Sequence, residues 1–595
     1  MSADYDFIIV GGGAAGGALT YFLAQSSKKP RILLLEAGAQ NSDGNLRVDG
    51  QRWLTFLNKD MNYGYKTVPQ QDAAGRELDY SRGRGLGGSS AINFGVFTVG
   101  AQGDYDEWAR VVSEDDDSDP GFFSWEHMQA RLRKLETFHD ALPSSIANGS
   151  KYVSPRPENH GTSGPLHVGY AGEWEDDVVP WLDLYLEAGY PLNPDHNSGN
   201  PIGMSPLISS AHNGKRSTSR DLLVQLESLD NVTILTDSPV QRVILDTSGA
   251  DTPTKAIGVE SNGKGYLAAK EVVLCAGALD TPRILMHSGI GPADQLDKFG
   301  IPVVVASPAV GSGLRDHAFC PLVYLRRPES VPNYPTGSRA ALYSDQAVMD
   351  AALEQWKRDG TGPWAKIACQ AAIGFFKFSD AFTASSEFQA LPDAEKAHLS
   401  HPTVPHYEVF THFPISFFMP EAFPAGIQNI DKFNYQCLLV FLYNAQSRGE
   451  VRLQSSDPNV PLLFDPKFLG VEFDRRAAVE ALREALKVVK SPAYAKDTLS
   501  VVAEPPNAAS ATDEELLAYW RQTISSSWHM TGTVKMGKKG DADAAVDSGF
   551  RVIGVDGLRV ADMSVLPVLL SGHTQAGAYL TGTTAAEKLI SDFDL

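Results

Sequence analysis

The sequence predicts an α/β protein built on a doubly wound, Rossmann-like parallel sheet, with chain left over for a second domain. Three observations predict it. A glycine-rich turn links a strand to a helix within residues 6–24, a second strand ends on Glu36, and a further strand runs into a helix across residues 271–287. The 595 residues exceed what one hydrophobic core ordinarily serves, so at least two domains are expected.

The first element is Asp6–Val10, a short apolar and β-branched run that reads as a buried parallel strand. It enters Gly11-Gly-Gly13-Ala14-Ala15-Gly16, and a helix is expected from Ala14 to about Ala24. Arg31–Leu35 is the next buried strand, and it delivers Glu36 and Ala37 to its C-terminal edge. This order of strand, glycine turn, helix, strand and acid is the dinucleotide fingerprint in its required context. Gly11 permits the tight turn, Gly13 lets a pyrophosphate approach the backbone, and Gly16 lets the helix pack on the strand. The helix N-terminus, beginning at Ala14 and Ala15, offers free N–H groups and the positive end of the helix dipole to phosphate. Glu36, twenty residues after Gly16, can accept hydrogen bonds from a ribose diol. The fingerprint alone leaves FAD and NAD both open.

Composition removes several classes. Hydrophobic residues make up 43% and charged residues 21%, an ordinary globular balance. The net charge of -21 argues against a nucleic-acid or anionic-membrane partner, both of which select a basic face. The acidic run Glu114–Asp119 reads as a solvated loop. No apolar run approaches the roughly 18 residues of a membrane-spanning helix, and Cys437–Tyr443 reads instead as a buried strand. Cys275, Cys320, Cys369 and Cys437 are widely spaced, so neither a zinc site nor a disulfide framework is expected, and no metal is assigned. The N-terminus enters a strand without the basic and apolar segments of a secretory signal, and the C-terminus is not a peroxisomal tripeptide. An intracellular, cytoplasmic protein is the expectation. Asn148-Gly-Ser and Asn231-Val-Thr match the glycosylation tripeptide, a pattern frequent by chance.

Two longer segments carry more. Residues 83–106 read Gly-Arg84-Gly-Leu-Gly87-Gly88-Ser89-Ser90-Ala-Ile-Asn93, then Phe94-Gly-Val96-Phe-Thr-Val-Gly and Ala-Gln-Gly-Asp-Tyr-Asp. Small residues at 87–91 let backbone approach a flat ring or a phosphate. Residues 271–291 hold a buried strand ending at Ala276-Gly277, with a helix expected to start near Thr281-Pro282. These stretches resemble, position by position, the two signature segments of the glucose–methanol–choline (GMC) oxidoreductase family. The N-terminal fingerprint, Val310–His317, Ser447–Leu453 and the run from His529 to Lys588 extend the resemblance over essentially the whole chain.

The resemblance implies an α/β FAD-binding doubly wound domain plus an α+β substrate-binding domain with an antiparallel sheet, the GMC fold. Residues 1–309 would be mainly FAD-binding, with minor excursions into the substrate domain. Residues 310–525 would be mainly substrate-binding, and residues 526–595 would return to the FAD domain. It also implies that Arg84, Gly87, Gly88, Ser89, Ser90, Asn93, Phe94 and Val96 in the first signature, Val240, and Ala276 with Gly277 in the second contact FAD. Some relatives attach FAD through a histidine just before the asparagine of the first signature. Ile92 stands there in this chain, so non-covalent FAD is expected.

The chemistry is expected near Trp528-His529-Met-Thr-Gly-Thr533 and Ser571-Gly-His573-Thr574-Gln575. Among 14 histidines, His529 and His573 match the family's catalytic pair. Asp562, ending the buried run Gly557–Asp562, matches the acid that meets the flavin's ribityl–phosphate region, and Thr574 and Gln575 match the pyrimidine edge. A hydride leaves an alcohol carbon only as its hydroxyl proton leaves, and imidazole, with an unperturbed pKa of about 6.5, accepts that proton near neutrality. His529 is assigned as base and His573 as orienting partner, with FAD-binding contact as well. Two close imidazoles titrate as a pair, which leaves shared roles open. Met530 replaces the proline common after the first histidine, and His317 reads as structural.

The aromatic segment His406–Pro420, with Tyr443 and Trp528, either lines a pocket suited to an aryl or other apolar alcohol or belongs to the domain core. The frame at 573–575 resembles aryl-alcohol oxidases. A primary alcohol, aryl or allylic, is therefore the expected substrate, with oxygen as acceptor and peroxide as product. A dehydrogenase passing electrons to a quinone-type acceptor and a hydroxynitrile-lyase-like protein without net redox chemistry stand as alternatives.

Overall fold

In a computed structural model, the described residues are 4–48, 52–114, 119–143, 146, 148–174, 178–248, 254–330, 342, 345–366, 370–412 and 435–595. Cys369, most of the acidic run 114–119 and residues 413–420 of the aromatic segment lie outside them.

The first layer is the expected parallel sheet. Tyr5–Val10 lies between Ile32–Leu35 and Lys264–Leu274, with Val232–Leu235 and Leu558–Val560 on the two flanks, all in parallel register. The strands are buried apolar runs, with Phe7, Ile8 and Ile9 and the whole of Ile32–Leu35 at 0–1% exposure, as a sheet covered on both faces requires. The long strand Lys264–Leu274 leaves this sheet at its N-terminal end and pairs antiparallel with Lys255–Ser261. Helix Ala14–Ala24 starts where the fingerprint places it, and the C-terminal helix Gln575–Asp592 packs along it. That contact is close: a Cβ on Gly582 would come within 2.0 Å of the Ala15 carbonyl oxygen.

The second layer is antiparallel. Its strands run in the order Thr498–Ala503, Ala318–Arg326, Tyr435–Leu442, Tyr407–His412, Gln370–Phe376 and Gly203–Pro206, with Ser525–Ser526 on the first residues of Ala318–Arg326. The run Cys437–Tyr443 is the centre of this sheet, with Cys437, Leu438 and Val440 fully buried. Gly203–Pro206, far upstream in the chain, reaches into the same sheet. No helix of the described residues is long and apolar enough to cross a membrane.

One expected boundary is corrected. The helix of the second signature spans Gly277–His287, so Thr281-Pro282 lies inside it rather than at its start. Proline lacks the N–H that would bond the carbonyl four residues back, that of Ala278. The Thr533 hydroxyl donates to this carbonyl at 2.6 Å. A residue 255 positions away thus fills the gap, which no local helix signal could reveal.

Candidate active site

Two adjoining cavities, about 1070 and 1020 Å³, run from the glycine turn to the two histidines. They share walls at Ala14, Ser89, Ser90, Met563, Thr574 and Ala578, so they form one cleft between the parallel sheet and the antiparallel sheet.

The first cavity begins at the turn. Gly11 has φ +106°, and a Cβ there would meet the Cys275 carbonyl oxygen at 2.5 Å. A Cβ on Gly16 would meet the Gly11 carbonyl oxygen at 2.0 Å, so Gly11 and Gly16 are required by contact, whereas a Cβ on Gly13 would meet nothing nearer than Gly88 Cα at 3.9 Å. Gly13 is the N-cap of its helix and no side chain caps it, which leaves the first N–H groups for an anion. Glu36 lines this cavity, and its carboxylate is already oriented. Gly12 N–H donates to Oε2 at 2.8 Å, and Gly38 and Gly85 N–H donate to Oε1 at 2.9 Å each. Four lone-pair positions less three donors leave one on Oε2 for a ribose hydroxyl. Asp562 sits at the far wall, accepting from Gly277 N–H at 2.9 Å, Thr281 Oγ1 at 2.6 Å and Ser564 N–H at 2.7 Å. Burial pushes its carboxyl above the usual range, against the pull of those donors.

Of the expected cofactor residues, Gly11, Gly13, Ala14, Ala15, Glu36, Ala37, Gly88, Ser89, Ser90, Val240, Ala276, Gly277 and Asp562 line this cavity. Asn93, Phe94, Val96, His573, Thr574 and Gln575 line the second. Gly16, Arg84 and Gly87 line neither. Gly16 lies under the turn, Gly87 N–H donates to Gly12 O at 3.1 Å, and Arg84 Nη2 donates to Ala37 O at 3.4 Å. These three shape the wall from behind. Tyr63, Ser238, Pro239 and Arg283 line the first cavity without having been signalled by the sequence.

The second cavity is apolar and aromatic at one end, with Phe56, Phe94, Phe319, Phe410, Phe441 and Trp528 on its walls. His529 and His573 face each other there with ring centroids 4.9 Å apart. Gln575 also points in: its amide oxygen accepts from Asn93 Nδ2 at 2.8 Å and Ser210 Oγ at 3.3 Å, while its buried amide nitrogen has no partner among the described residues. A flat ring with carbonyl edges would supply one.

Hydrogen bonds fix the orientation of His529. The Ser527 hydroxyl donates to His317 O at 2.9 Å, which uses its one proton. Its second contact, His529 Nδ1 at 3.0 Å, therefore receives an N–H from the ring. His529 thus carries its proton on Nδ1, and Nε2 is the nitrogen left for the cavity. His317 Nδ1 lies 3.0 Å from the same His529 Nδ1 and acts as acceptor. His317 was read as structural, and the structure places it against the candidate base. His529 N–H also donates to Asp316 Oδ1 at 2.7 Å. Burial, then His573, His317 and Arg82, hold the His529 imidazole well below its ordinary pKa. The preceding Trp528 takes φ +60°, uncommon for a bulky residue, and is held by Nε1 donating to Asp79 Oδ1 at 2.7 Å and by Arg82 Nη1 donating to its carbonyl at 2.6 Å.

His573 has a different partner. Its Nε2 lies 3.1 Å from Oε1 of Glu408, a fully buried carboxylate whose Oε2 accepts from the Tyr443 hydroxyl. His573 N–H donates to Thr98 Oγ1 at 2.6 Å. Glu408 was invisible as a site residue in the sequence because it reads as one polar position in the aromatic segment. That segment divides as both sequence readings allowed: Phe410 lines the cavity, whereas Tyr407 stacks on Phe378 in the core.

Comparisons with known proteins agree with this architecture. The family profile described as GMC oxidoreductase matches residues 5–319, and its C-terminal counterpart matches residues 445–582. Pyranose dehydrogenase of Agaricus campestris is 31% identical over 97% of this chain and 92% of its own length. Patulin synthase of Aspergillus clavatus is 30% identical over 99% and 92%. A solved fungal aryl-alcohol oxidase superposes over 100% of both chains with a TM-score of 0.85 at 24% identity.

Proposed function

The chain belongs to the GMC oxidoreductase family, whose flavoproteins use FAD, and on that premise we propose that it oxidises a primary alcohol, aryl or allylic, to the aldehyde. The observation that carries this reading is the pair of imidazoles, 4.9 Å apart, closing an aromatic cavity at the end of a dinucleotide-shaped cleft. The cleft suits FAD: the glycine cradle, the spare acceptor position on Glu36 and the unpartnered Gln575 nitrogen each match part of it. Ile92, a buried alkyl side chain on the cavity wall, offers no nucleophile for a flavin bond, which supports non-covalent attachment. When bound, FAD supplies the acceptor for the hydride, and oxygen restores it with release of peroxide.

The chain's own groups do the rest. His529 Nε2 takes the hydroxyl proton, because burial keeps that imidazole neutral and Nδ1–H is committed to Ser527 and His317. Such general-base help contributes typically about 10²–10⁴-fold. His573 orients the substrate oxygen, and Glu408 holds the ring through its Nε2, 3.1 Å from Oε1. The aromatic walls select a ring or an extended apolar chain. Arg82 is the one Asp, Glu, Lys or Arg residue on the walls of the second cavity among the described residues, and one of its nitrogens is spent on Trp528 O.

A second reading, a dehydrogenase that passes electrons to a quinone-type acceptor, draws support from the relative named pyranose dehydrogenase. The test is anaerobic addition of aryl, allylic, aliphatic and sugar alcohols to the holoenzyme while following the flavin band, then admission of air. Bleaching by aryl or allylic alcohols and prompt recovery with peroxide supports the oxidase. Slow recovery in air, rapid with a quinone, favours the dehydrogenase. No bleaching across the panel overturns both and leaves a lyase-like protein.

A further inference from the structure

Behind the turn that carries His573 lies a buried acid–imidazole pair with no part in the chemistry above. Asp104, fully buried, is the third residue of helix Gln102–Val112. Its Oδ2 accepts from Ser571 N–H at 2.6 Å and Ala101 N–H at 3.3 Å. Its Oδ1 accepts from the Ser571 hydroxyl at 3.1 Å and lies 2.9 Å from Nε2 of His398. A carboxylate flanked by that many donors accepts here too, so His398 carries its proton on Nε2.

His398 comes from the other layer. It sits on helix Asp393–Ser400, which is anchored beside the antiparallel sheet. Lys377, just past the strand Gln370–Phe376, donates from Nζ to Leu399 O at 3.0 Å, His401 O at 2.6 Å and Val404 O at 3.0 Å. His406 Nε2 lies 3.0 Å from the same Leu399 O. Asn444, following the central strand of that sheet, donates from Nδ2 to Ser571 Oγ at 3.0 Å. The catalytic turn is thus clamped at each residue. Ser571 is held by Asp104 and Asn444. Gly572 has no room, since a Cβ would come within 2.8 Å of Thr98 Oγ1. His573 is held through its N–H by Thr98.

We propose that Asp104 and His398 are a positioning pair, locking the substrate-side helix Asp393–Ser400 to the turn Ser571–His573 and so setting where the His573 imidazole stands over the substrate oxygen. This rests on the reading of His573 as the orienting imidazole. Removing the His398 donor leaves a buried carboxylate short of a charge-assisted hydrogen bond. The turn then relaxes, and a misplacement of about 1 Å in an aligned site costs about 10²-fold in rate. The apolar walls that bind the substrate are untouched, so the loss falls on kcat and not on KM.

The test compares His398→Leu and His398→Gln holoenzymes, the glutamine amide being able to donate where Nε2 did. Expected for His398→Leu is a loss of about 10–10²-fold in kcat and in anaerobic flavin bleaching, with KM and bound FAD near wild type. His398→Gln is expected to restore most of the rate. Should His398→Leu fail to fold, Ser571→Ala, which deletes one hydroxyl from the same cluster, is expected to lower kcat in the same direction. A lowered melting temperature with unchanged kcat, or equal kcat losses in the leucine and glutamine variants, would overturn the pair's positioning role. Crystal structures of the variants separate this from the oxidation reading. If no alcohol bleaches the wild-type flavin, a His573 ring displaced in His398→Leu still supports the pair, and an unmoved ring refutes it.

Discussion

His529 Nδ1 and His317 Nδ1 lie 3.0 Å apart and share a single proton, which the Ser527 hydroxyl assigns to His529. The arrangement gives the candidate base a defined tautomer before substrate arrives. It also gives the imidazolium formed on proton uptake an acceptor that is already in place. Hydrogen bonds to charged groups contribute about 1.5–3 kcal/mol, so replacing His317 by phenylalanine is expected to cost about 10–10²-fold in kcat. Steady-state kinetics with a bleaching alcohol checks this. An unchanged kcat would return His317 to a packing role beside Tyr443, whose ring lies 4.2 Å away.

The second expectation concerns pH. A base works only when deprotonated, and burial, with His573, His317 and Arg82 beside it, holds His529 well below its ordinary 6.5. The acid limb of kcat/KM is therefore expected below pH 6.5, followed by a plateau through neutrality. His529→Ala should lose about 10²–10⁴-fold and with it the acid limb, while FAD stays bound. A limb centred above neutrality in the wild type would show that another group is the base.

Glu408 offers a third measurement. It is fully buried and links the His573 ring to the Tyr443 hydroxyl, so Glu408→Gln keeps the shape and deletes the charge. A hydrogen bond to a charged group contributes about 1.5–3 kcal/mol, which sets an expected loss in kcat of about 10–10²-fold. Tyr443→Phe, which leaves the carboxylate charged, should lose less. Equal effects of the two substitutions would assign the role to packing rather than charge.

How much of this was legible follows from the range of each signal. The fingerprint, both strands and the helix Ala14–Ala24 rest on contacts within forty residues, and the sequence expresses them as glycines at forced positions and as apolar runs. The two catalytic candidates were found because each sits in a recognisable frame. Glu408 and His398 carry no such frame, while Asp104 and Asp316 lie within the matched stretches 83–106 and 310–317 with no role assigned to them there. Each becomes a site-supporting residue only through a partner 165, 294, 467 or 213 positions away. A lone acid inside a strand or helix reads the same whether it faces solvent or a histidine. The helix start at Gly277 was missed for the same reason, since the hydroxyl that compensates Pro282 belongs to Thr533.

Asp316 sets a pH dependence of stability that is independent of catalysis. Its carboxyl is buried beneath His529, accepting from His529 N–H at 2.7 Å and from Ser526 Oγ at 2.6 Å. Burial pushes it up from 3.8 to about 7, and these donors and Arg82 only partly oppose the shift. In the unfolded chain the group loses its proton near its ordinary value, so between about 4 and about 7 the folded protein holds more protons than the unfolded one. Stability then falls as pH rises across that window. The group's contribution is fully present below the ordinary carboxyl range and lost as pH passes the folded value. Asp316→Asn removes the titrating proton, while the amide oxygen can still accept from His529 N–H and the Ser526 hydroxyl can turn to accept from the amide nitrogen. Melting temperatures of holoenzyme and variant from pH 4 to pH 8 are therefore expected to diverge, with the wild type losing ground to the variant as pH rises through about 7. Parallel curves over the whole range would mean that the carboxyl is ionised in the folded protein throughout, paired with Arg82 and not raised by burial.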